Sequence, residues 1–423
     1  MTTILRPLST SEVAYVKSST LTTVKTILVG HLDYELFRKA ILTCLNQHPL
    51  AKSTIKSEQG VVAFMERLDL TEELEKTDPA STEEEMDQVY EDVINSGLNI
   101  ENALYRFVVT SLGVERQQLI LAFHHAICDG TSLIRFYVNL LECYNLLSAD
   151  STVDYPALDV APPIESYIPG AVSKLSDDEI VETIQSEVDR KKPDNLWLSL
   201  TAQGEASKLP PRIKSFSSRF APEISKQLVD KTRENGCTVT GVLGAALMYA
   251  IKRVTKREDQ KCVLTCKYAV DLRARVAGDQ QPNQLNCYVI AYNDFQSLDV
   301  GIDDDSYWTC AKEIGLSLKN YAESDRAFIN LRALGIDKKP QNTHVSSVLS
   351  NIGRLDLDGI SGQLVPERFS GQGVSMSPCI IITAMYYFGA LQLDYLYTTP
   401  WVADEKARAI HEEIENILAD IVN

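Results

Sequence analysis

The chain has 423 residues, 44% of them hydrophobic, and a formal net charge of −17 at pH 7. That length and apolar content suit two globular halves with separate cores, and the acidic balance argues against nucleic acid or an anionic membrane as a main partner. No run of about 18 uncharged apolar residues is present, and Met1-Thr2-Thr3-Ile4-Leu5-Arg6-Pro7 lacks the basic start and long apolar core of a signal peptide. The expectation is a soluble, cytoplasmic monomer with no membrane span. Nine cysteines scattered through apolar segments fit reduced thiols, and Cys262 and Cys266, with no histidine nearby, read as strand core rather than a metal site.

In chain order, Thr22 to Val29 reads as a strand and Tyr34 to Leu45 as an amphipathic helix with Phe37, Ile41 and Cys44 on one face. Val61 to Met65 reads as a strand, Glu83 to Ile94 as a helix, and Leu104 to Ser111 as a strand. Gln118 to Phe123 is an apolar run with strand character. A helix starts near Thr131 or Ser132 and carries Leu133, Phe136, Leu140, Leu141 and Tyr144 at helical spacing. The stretch 155–215 holds Tyr155-Pro156-Ala157, Ala161-Pro162-Pro163, Asp177-Asp178-Glu179 and Pro210-Pro211, and reads as a divider. Beyond it come helices at Pro222–Glu234 and Thr240–Val254 and a strand at Cys262–Val270. Strands near Val345–Ser350, Cys379–Phe388 and Leu391–Tyr397 and a helix at Asp404–Asp420 complete the pattern. The alternation suggests two α/β subdomains, 1–160 and 216–423, joined by a linker or crossover over 161–215.

The most informative text is His124-His125-Ala126-Ile127-Cys128-Asp129-Gly130, which places two of only six histidines between a strand and a helix. Imidazole is the side chain whose ordinary pKa lies closest to neutral, so a histidine displayed at a strand end suits general-base chemistry. The alternative is a buried pair that satisfies backbone groups. Cys128 reads as a small apolar filler within the motif rather than a nucleophile. His411-Glu412-Glu413 lacks the second histidine of a zinc helix, and neither a Gly-x-Ser-x-Gly elbow nor a phosphate loop is present.

His-His-x-x-x-Asp-Gly resembles the signature of the acyltransferases similar to chloramphenicol acetyltransferase. That superfamily includes peptide-synthetase condensation domains, fungal alcohol acetyltransferases and mycobacterial polyketide-associated acyltransferases. The resemblance implies an α/β fold of two chloramphenicol acetyltransferase-like sandwiched subdomains with a tunnel between them. It implies His125 as the general base beside His124, Asp129 as a structural residue paired with a distant arginine, and Gly130 as the residue that leaves room for substrate. Tyr268-Ala269-Val270-Asp271-Leu272-Arg273-Ala274-Arg275 resembles the family's Val-Asp-x-Arg segment, which implies Arg273 as that partner and Arg275 as the fallback. For either arginine a surface salt bridge is the plainer reading. Asn286 stands where relatives often carry Gly-Asn at the channel. Ser350-Asn351-Ile352-Gly353 resembles Ser-Asn-x-Gly, which implies donors facing a developing oxyanion, an ordinary strand-to-turn transition being the alternative. Phe369-Ser370-Gly371-Gln372-Gly373 matches the Asp-Phe-Gly-Trp-Gly of plant relatives poorly, and the expectation is a free-standing enzyme without carrier or adenylation segments. The opening Arg6-Pro7-Leu8-Ser9-Thr10-Ser11-Glu12 is most similar to the free-standing, phthiocerol dimycocerosyl transferase-like type, a setting of polyketide, lipid or secondary-metabolite biosynthesis.

The resemblance thus implies an O-acyltransferase that moves an acyl group from a thioester to a small-molecule alcohol. Acyl-CoA or acyl-phosphopantetheine would be the co-substrate, with no bound cofactor, no metal and no covalent enzyme intermediate. An amide-forming, free-standing condensation enzyme and a non-catalytic binding module are the competing readings. If the donor rides on an acidic acyl carrier protein, docking needs a basic patch. Arg253, Lys256 and Arg257, flanked by Lys252 and Lys261, are the candidate, with Arg190, Lys191 and Lys192 a second cluster. A solvated helix end is the plain alternative.

Overall fold

The computed structural model describes residues 3–58, 61–67, 74–191, 196–197, 200, 209–256, 261–276, 284–298, 304–337 and 345–422. In chain order the elements are β1 (Ile4–Pro7), α1 (Thr10–Ser18), β2 (Leu21–Val29), α2 (Tyr34–Gln47), β3 (Ser53–Glu58), β4 (Val61–Glu66), β5 (Leu74–Lys76), α3 (Glu83–Ser96), β6 (Tyr105–Leu112), β7 (Arg116–His124) and α4 (Gly130–Ser148). A 3-10 turn at Ile164–Tyr167 leads to α5 (Gly170–Ser173), α6 (Asp177–Lys191), β8 (Leu196–Trp197), β9 (Arg212–Arg219), α7 (Pro222–Glu234), α8 (Val239–Val254) and β10 (Cys262–Asp271). The chain ends with α9 (Arg273–Val276), β11 (Val289–Leu298), α10 (Asp304–Glu323), α11 (Arg326–Ala333), β12 (Ser347–Arg354), β13 (Val365–Val374), β14 (Ile380–Tyr387), β15 (Ala390–Thr399) and α12 (Asp404–Val422). Among the described residues no single helix is long and apolar enough to cross a membrane.

The chain forms two units. The first comprises Met1–Tyr167, Arg273–Tyr288 and Asp356–Ser375, and the second comprises Ile168–Leu272, Val289–Leu355 and Met376–Asn423. This partition differs from the expected boundaries at 160 and 215. Two segments from late in the chain return to the first unit because its sheet and its histidine motif are completed by them. The stretch expected as a linker carries α5, α6 and β9, all within the second unit.

In the first unit a five-stranded sheet has the order β13-β2-β7-β6-β5, and β1-β4-β3 form a small separate sheet. Strand β7 is buried along almost its whole length, which explains its unbroken apolar run. Helices cover both faces of the larger sheet. Thr23 and Thr26 on β2 have opposite parity and so point to opposite faces. The Thr23 hydroxyl meets Tyr90 of α3 at 2.8 Å, whereas that of Thr26 meets Tyr137 of α4 at 2.9 Å. Helix α2 starts where the Asp33 carboxylate accepts the Leu36 N–H at 3.0 Å, and it buries Phe37, Ile41 and Cys44 as its periodicity predicts.

The second unit is built on a mixed sheet of order β11-β10-β12-β14-β15-β9, with β8 added to β10. Helices α8, α10 and α12 bury Leu247, Ile251, Ile314, Ile410 and Ile414 in one cluster with Leu264, Cys266, Tyr268 and Leu349 of the sheet. Helix α8 approaches α10 so closely that a Cβ on Gly241 would lie 2.2 Å from the Ala311 carbonyl oxygen. The β14–β15 hairpin turns through Phe388 and Gly389, both at positive φ (46° and 73°), the backbone of a two-residue type I′ turn.

Candidate active site

Strand β7 ends at His124, the chain turns through His125, Ala126 and Ile127, and Asp129 caps α4, which opens at Gly130. The two histidines are held differently. His124 is buried, its N–H donates to the Leu104 carbonyl at 2.8 Å, and its Nδ1 accepts the Ala126 N–H at 3.2 Å. Burial, and then the neighbouring His125, push its pKa down to about 4. It braces the turn as a neutral ring.

His125 is half-buried, and its N–H donates to the Thr20 carbonyl at 2.9 Å. Its ring stacks on Tyr15 of α1, with centroids 4.3 Å apart and planes 9° from parallel. The Cys287 Sγ lies 3.6 Å from its Nδ1, and among the described residues no hydrogen bond engages Nε2. Burial pushes the imidazole below its ordinary value. The Asp129 carboxylate and a hydrogen bond to the ring's own backbone oppose that shift. The ring is therefore a neutral base at physiological pH. Cys128 is buried, and burial raises its thiol well above the ordinary range, which suits a filler and not a nucleophile.

Asp129 gathers the rest of the site. The Arg273 Nη2 donates to its two carboxylate oxygens at 2.6 and 2.8 Å, and the Tyr288 N–H donates at 2.8 Å. Ser132 donates to Oδ1 from its N–H at 2.9 Å and its hydroxyl oxygen accepts the Asp129 N–H at 3.0 Å, closing the cap of α4. The guanidinium also lies over the Tyr288 ring, 5.1 Å from its centroid. Helix α9 has only four residues, yet it carries Arg273 back to the first unit. Arg275, on the same short helix, is exposed.

Asn286 is buried, and its own carbonyl accepts the Ser132 hydroxyl at 2.9 Å and the Asp129 N–H at 3.3 Å. Its side chain donates to the Pro162 carbonyl and accepts the Cys287 N–H, both at 2.9 Å. Expected at the channel, it serves here as a strut of the motif turn. Ser350 and Asn351 lie on β12 of the second unit, where Asn351 donates to the Thr240 hydroxyl at 2.9 Å and accepts the Gly353 N–H at 3.0 Å. Ser350 is half-buried, opposite Thr383 of β14.

The structure describes the basic cluster in part. Lys252 is fully buried on α8, and Arg253 is ion-paired with Glu413 of α12. Lys256 and Lys261 are exposed, and Arg257 lies outside the described residues. Of the second cluster, Lys192 and the side chains of Arg190 and Lys191 also lie outside them. Among the described residues, no group of three or more His, Cys, Asp or Glu is arranged to hold a metal ion.

Sequence reasoning missed Tyr15, Cys287 and Tyr288. Tyr15 had a local signal in Ser9-x-x-Glu12, the pattern of a capping box, and the Glu12 carboxylate indeed accepts the Ser9 N–H at 2.7 Å and pairs with Arg6 at 2.6 Å. Cys287 and Tyr288 come from a segment without periodic pattern, and only the folded chain sets them beside His125 and Asp129.

A family model described as the condensation domain matches residues 5–266, and one described as the phthiocerol/phthiodiolone dimycocerosyl transferase C-terminus matches residues 210–357. Among solved structures, polyketide synthase associated protein 5 from Mycobacterium tuberculosis is similar over 100% of this chain and 99% of its own, at 15% identity and a TM-score of 0.72. Trichothecene 15-O-acetyltransferase TRI3 from Fusarium sporotrichioides is similar over 98% of this chain and 95% of its own, at 12% identity and a TM-score of 0.75. The epimerization domain from the third module of tyrocidine synthetase B is similar over 100% and 96%, at 15% identity and a TM-score of 0.75. Identities this low speak to the fold, which is the two-part α/β fold that the histidine motif implies.

Proposed function

This chain belongs to the condensation-domain family, and from that membership we propose that it transfers an acyl group from a thioester to a hydroxyl, with His125 as general base. The observation that carries the proposal is the presentation of His125. Its ring is neutral, stacked on Tyr15 and contacted at Nδ1, while Nε2 is left to receive a proton. In the proposed reaction Nε2 takes the proton of an alcohol as its oxygen attacks the thioester carbonyl. The tetrahedral intermediate then expels the thiolate, which recovers the proton from Nε2, leaving an ester and a free thiol. Asp129, Arg273 and Asn286 hold the turn and take no part in bond making.

The donor is a coenzyme A or carrier-bound phosphopantetheine thioester, since both present the same reacting group. The acceptor is a small-molecule alcohol, in line with the O-acetyltransferase named among the solved structures. The test is incubation with a panel of acyl-CoA and acyl-carrier thioesters and paired alcohol and amine acceptors, read by thiol release and product mass. Ester products that vanish in His125→Ala are expected. Amide from the amine alone would reassign the acceptor, and thiol release no faster than in His125→Ala for every donor would refute the proposal.

A further inference from the structure

Cys287 has no part in the scheme above, yet its Sγ lies 3.6 Å from Nδ1 of His125 and 3.5 Å from the Tyr15 hydroxyl oxygen. Tyr15 in turn covers the face of the same imidazole. Phenol, thiol and imidazole therefore close a triangle. A thiol has one proton to donate, and its direction decides what the ring can do. Donated to Nδ1, it forces the ring's own proton onto Nε2, where a base must have a lone pair. Donated to the Tyr15 oxygen, it leaves the sulfur free to accept from Nδ1–H, and Nε2 stays open.

We propose that Tyr15 and Cys287 are positioning residues that select the tautomer of His125: the Tyr15 oxygen takes the thiol hydrogen bond, the sulfur accepts from Nδ1–H, and Nε2 remains the proton acceptor. Burial keeps the Tyr15 phenol protonated, so its oxygen is a neutral acceptor and does not compete as a base. This inference rests on His125 as the base, but its first readout needs no turnover.

Nitrogen-15 spectra of histidine-labelled protein, with the His125 resonance assigned by its loss in His125→Gln, are expected to show the Nδ1–H tautomer. Tyr15→Phe keeps the ring stack and removes the oxygen, so the thiol turns to Nδ1. The tautomer shifts toward Nε2–H, and kcat falls about three- to tenfold with the donor KM unchanged. Removing the thiol as well, in Tyr15→Phe/Cys287→Ala, restores the Nδ1–H form and most of kcat. Cys287→Ser, which keeps a donor and an acceptor in place, stays within about twofold of the parent. A native Nε2–H spectrum, an unchanged tautomer in Tyr15→Phe, or a double variant no better than Tyr15→Phe would each overturn the proposal. A native Nδ1–H spectrum in a protein that releases no thiol from any donor would instead count against the acyl-transfer reading alone.

Discussion

Replacing Asp129 by asparagine tests the clamp, and the structure fixes the order of the losses. The carboxylate accepts two contacts from Arg273 and one each from the Ser132 and Tyr288 N–H groups. Asparagine keeps one oxygen, enough to cap α4 through the Ser132 N–H, since Asn and Asp cap equally well. Its amide then points hydrogens at the Tyr288 N–H and at a guanidinium that is only 12% exposed. Stranding a buried cation costs about 3–5 kcal/mol, and an unsatisfied N–H about 1–3 more. These overlap, so Asp129→Asn is expected to cost about 4–6 kcal/mol. Arg273→Ala leaves a carboxylate with two remaining backbone donors and loses one charged hydrogen-bond pair and the stack on Tyr288, about 2–4 kcal/mol. The double variant strands no cation and should fall short of the sum by about 2 kcal/mol or more. Trp197, Trp308 and Trp401 all belong to the second unit, so tryptophan fluorescence does not report on the clamp. Hydrogen exchange of β7 and α4 amides does, through the free energy of local opening. Losses that add within about 0.5 kcal/mol, or Arg273→Ala costing more than Asp129→Asn, would refute the reasoning.

His125→Ala is expected to lower acyl transfer about 100- to 10,000-fold with β7 and α4 exchange unchanged, and near-native turnover where chemistry limits the rate contradicts it. Because burial lowers the His125 pKa, its base form persists at neutral pH. The acid limb of kcat/KM should therefore lie below the ordinary imidazole value of 6.5, and a limb above it would be a contradiction. His48 and His124 are buried with pKa values of about 4 against 6.5 when unfolded, so the unfolded chain binds the extra protons between those values. Stability should be full above pH 6.5 and fall as pH drops toward 4, by about 3 kcal/mol for each ring. Denaturant midpoints across that window check this, and a flat profile is the contrary result. Arg253→Glu should lower the thermal midpoint by setting two carboxylates together at Glu413. A rise in KM confined to carrier-bound donors would revive the docking surface.

What the sequence displayed depended on distance along the chain. The motif turn was legible because a strand, two histidines, an N-cap and a helix follow one another within a few residues, and α2, α3, α7 and α8 declared themselves by period. Strand β13 did not, since Pro366, Gly371 and Gly373 suppress any strand pattern and its state is imposed by pairing with β2. Arg273 could be matched to Asp129 only by resemblance, because four helical residues carry no periodicity. Cys287 and Tyr15 meet His125 from positions 272 residues apart in the chain, and no local rule joins them. Two members of the basic cluster differ from a solvated surface for a physical reason. Helix α8 is buried almost all round, so Lys252 near its end lies inside and Arg253 pairs with Glu413 of α12.

The return of β13 to β2 has a consequence for how the molecule is made. When the first 167 residues have left the ribosome, β7 already covers one side of β2, but the other side waits for residues 365–374. At ordinary synthesis rates that wait lasts on the order of tens of seconds. Throughout it the nascent chain offers a row of unpaired N–H and C=O groups to any neighbour, and the Asp129 carboxylate lacks its cation until Arg273 emerges. The half that carries the histidines is therefore begun first yet cannot be completed until residue 374 has emerged, and translation of that distal segment licenses the closing of a sheet begun near the start.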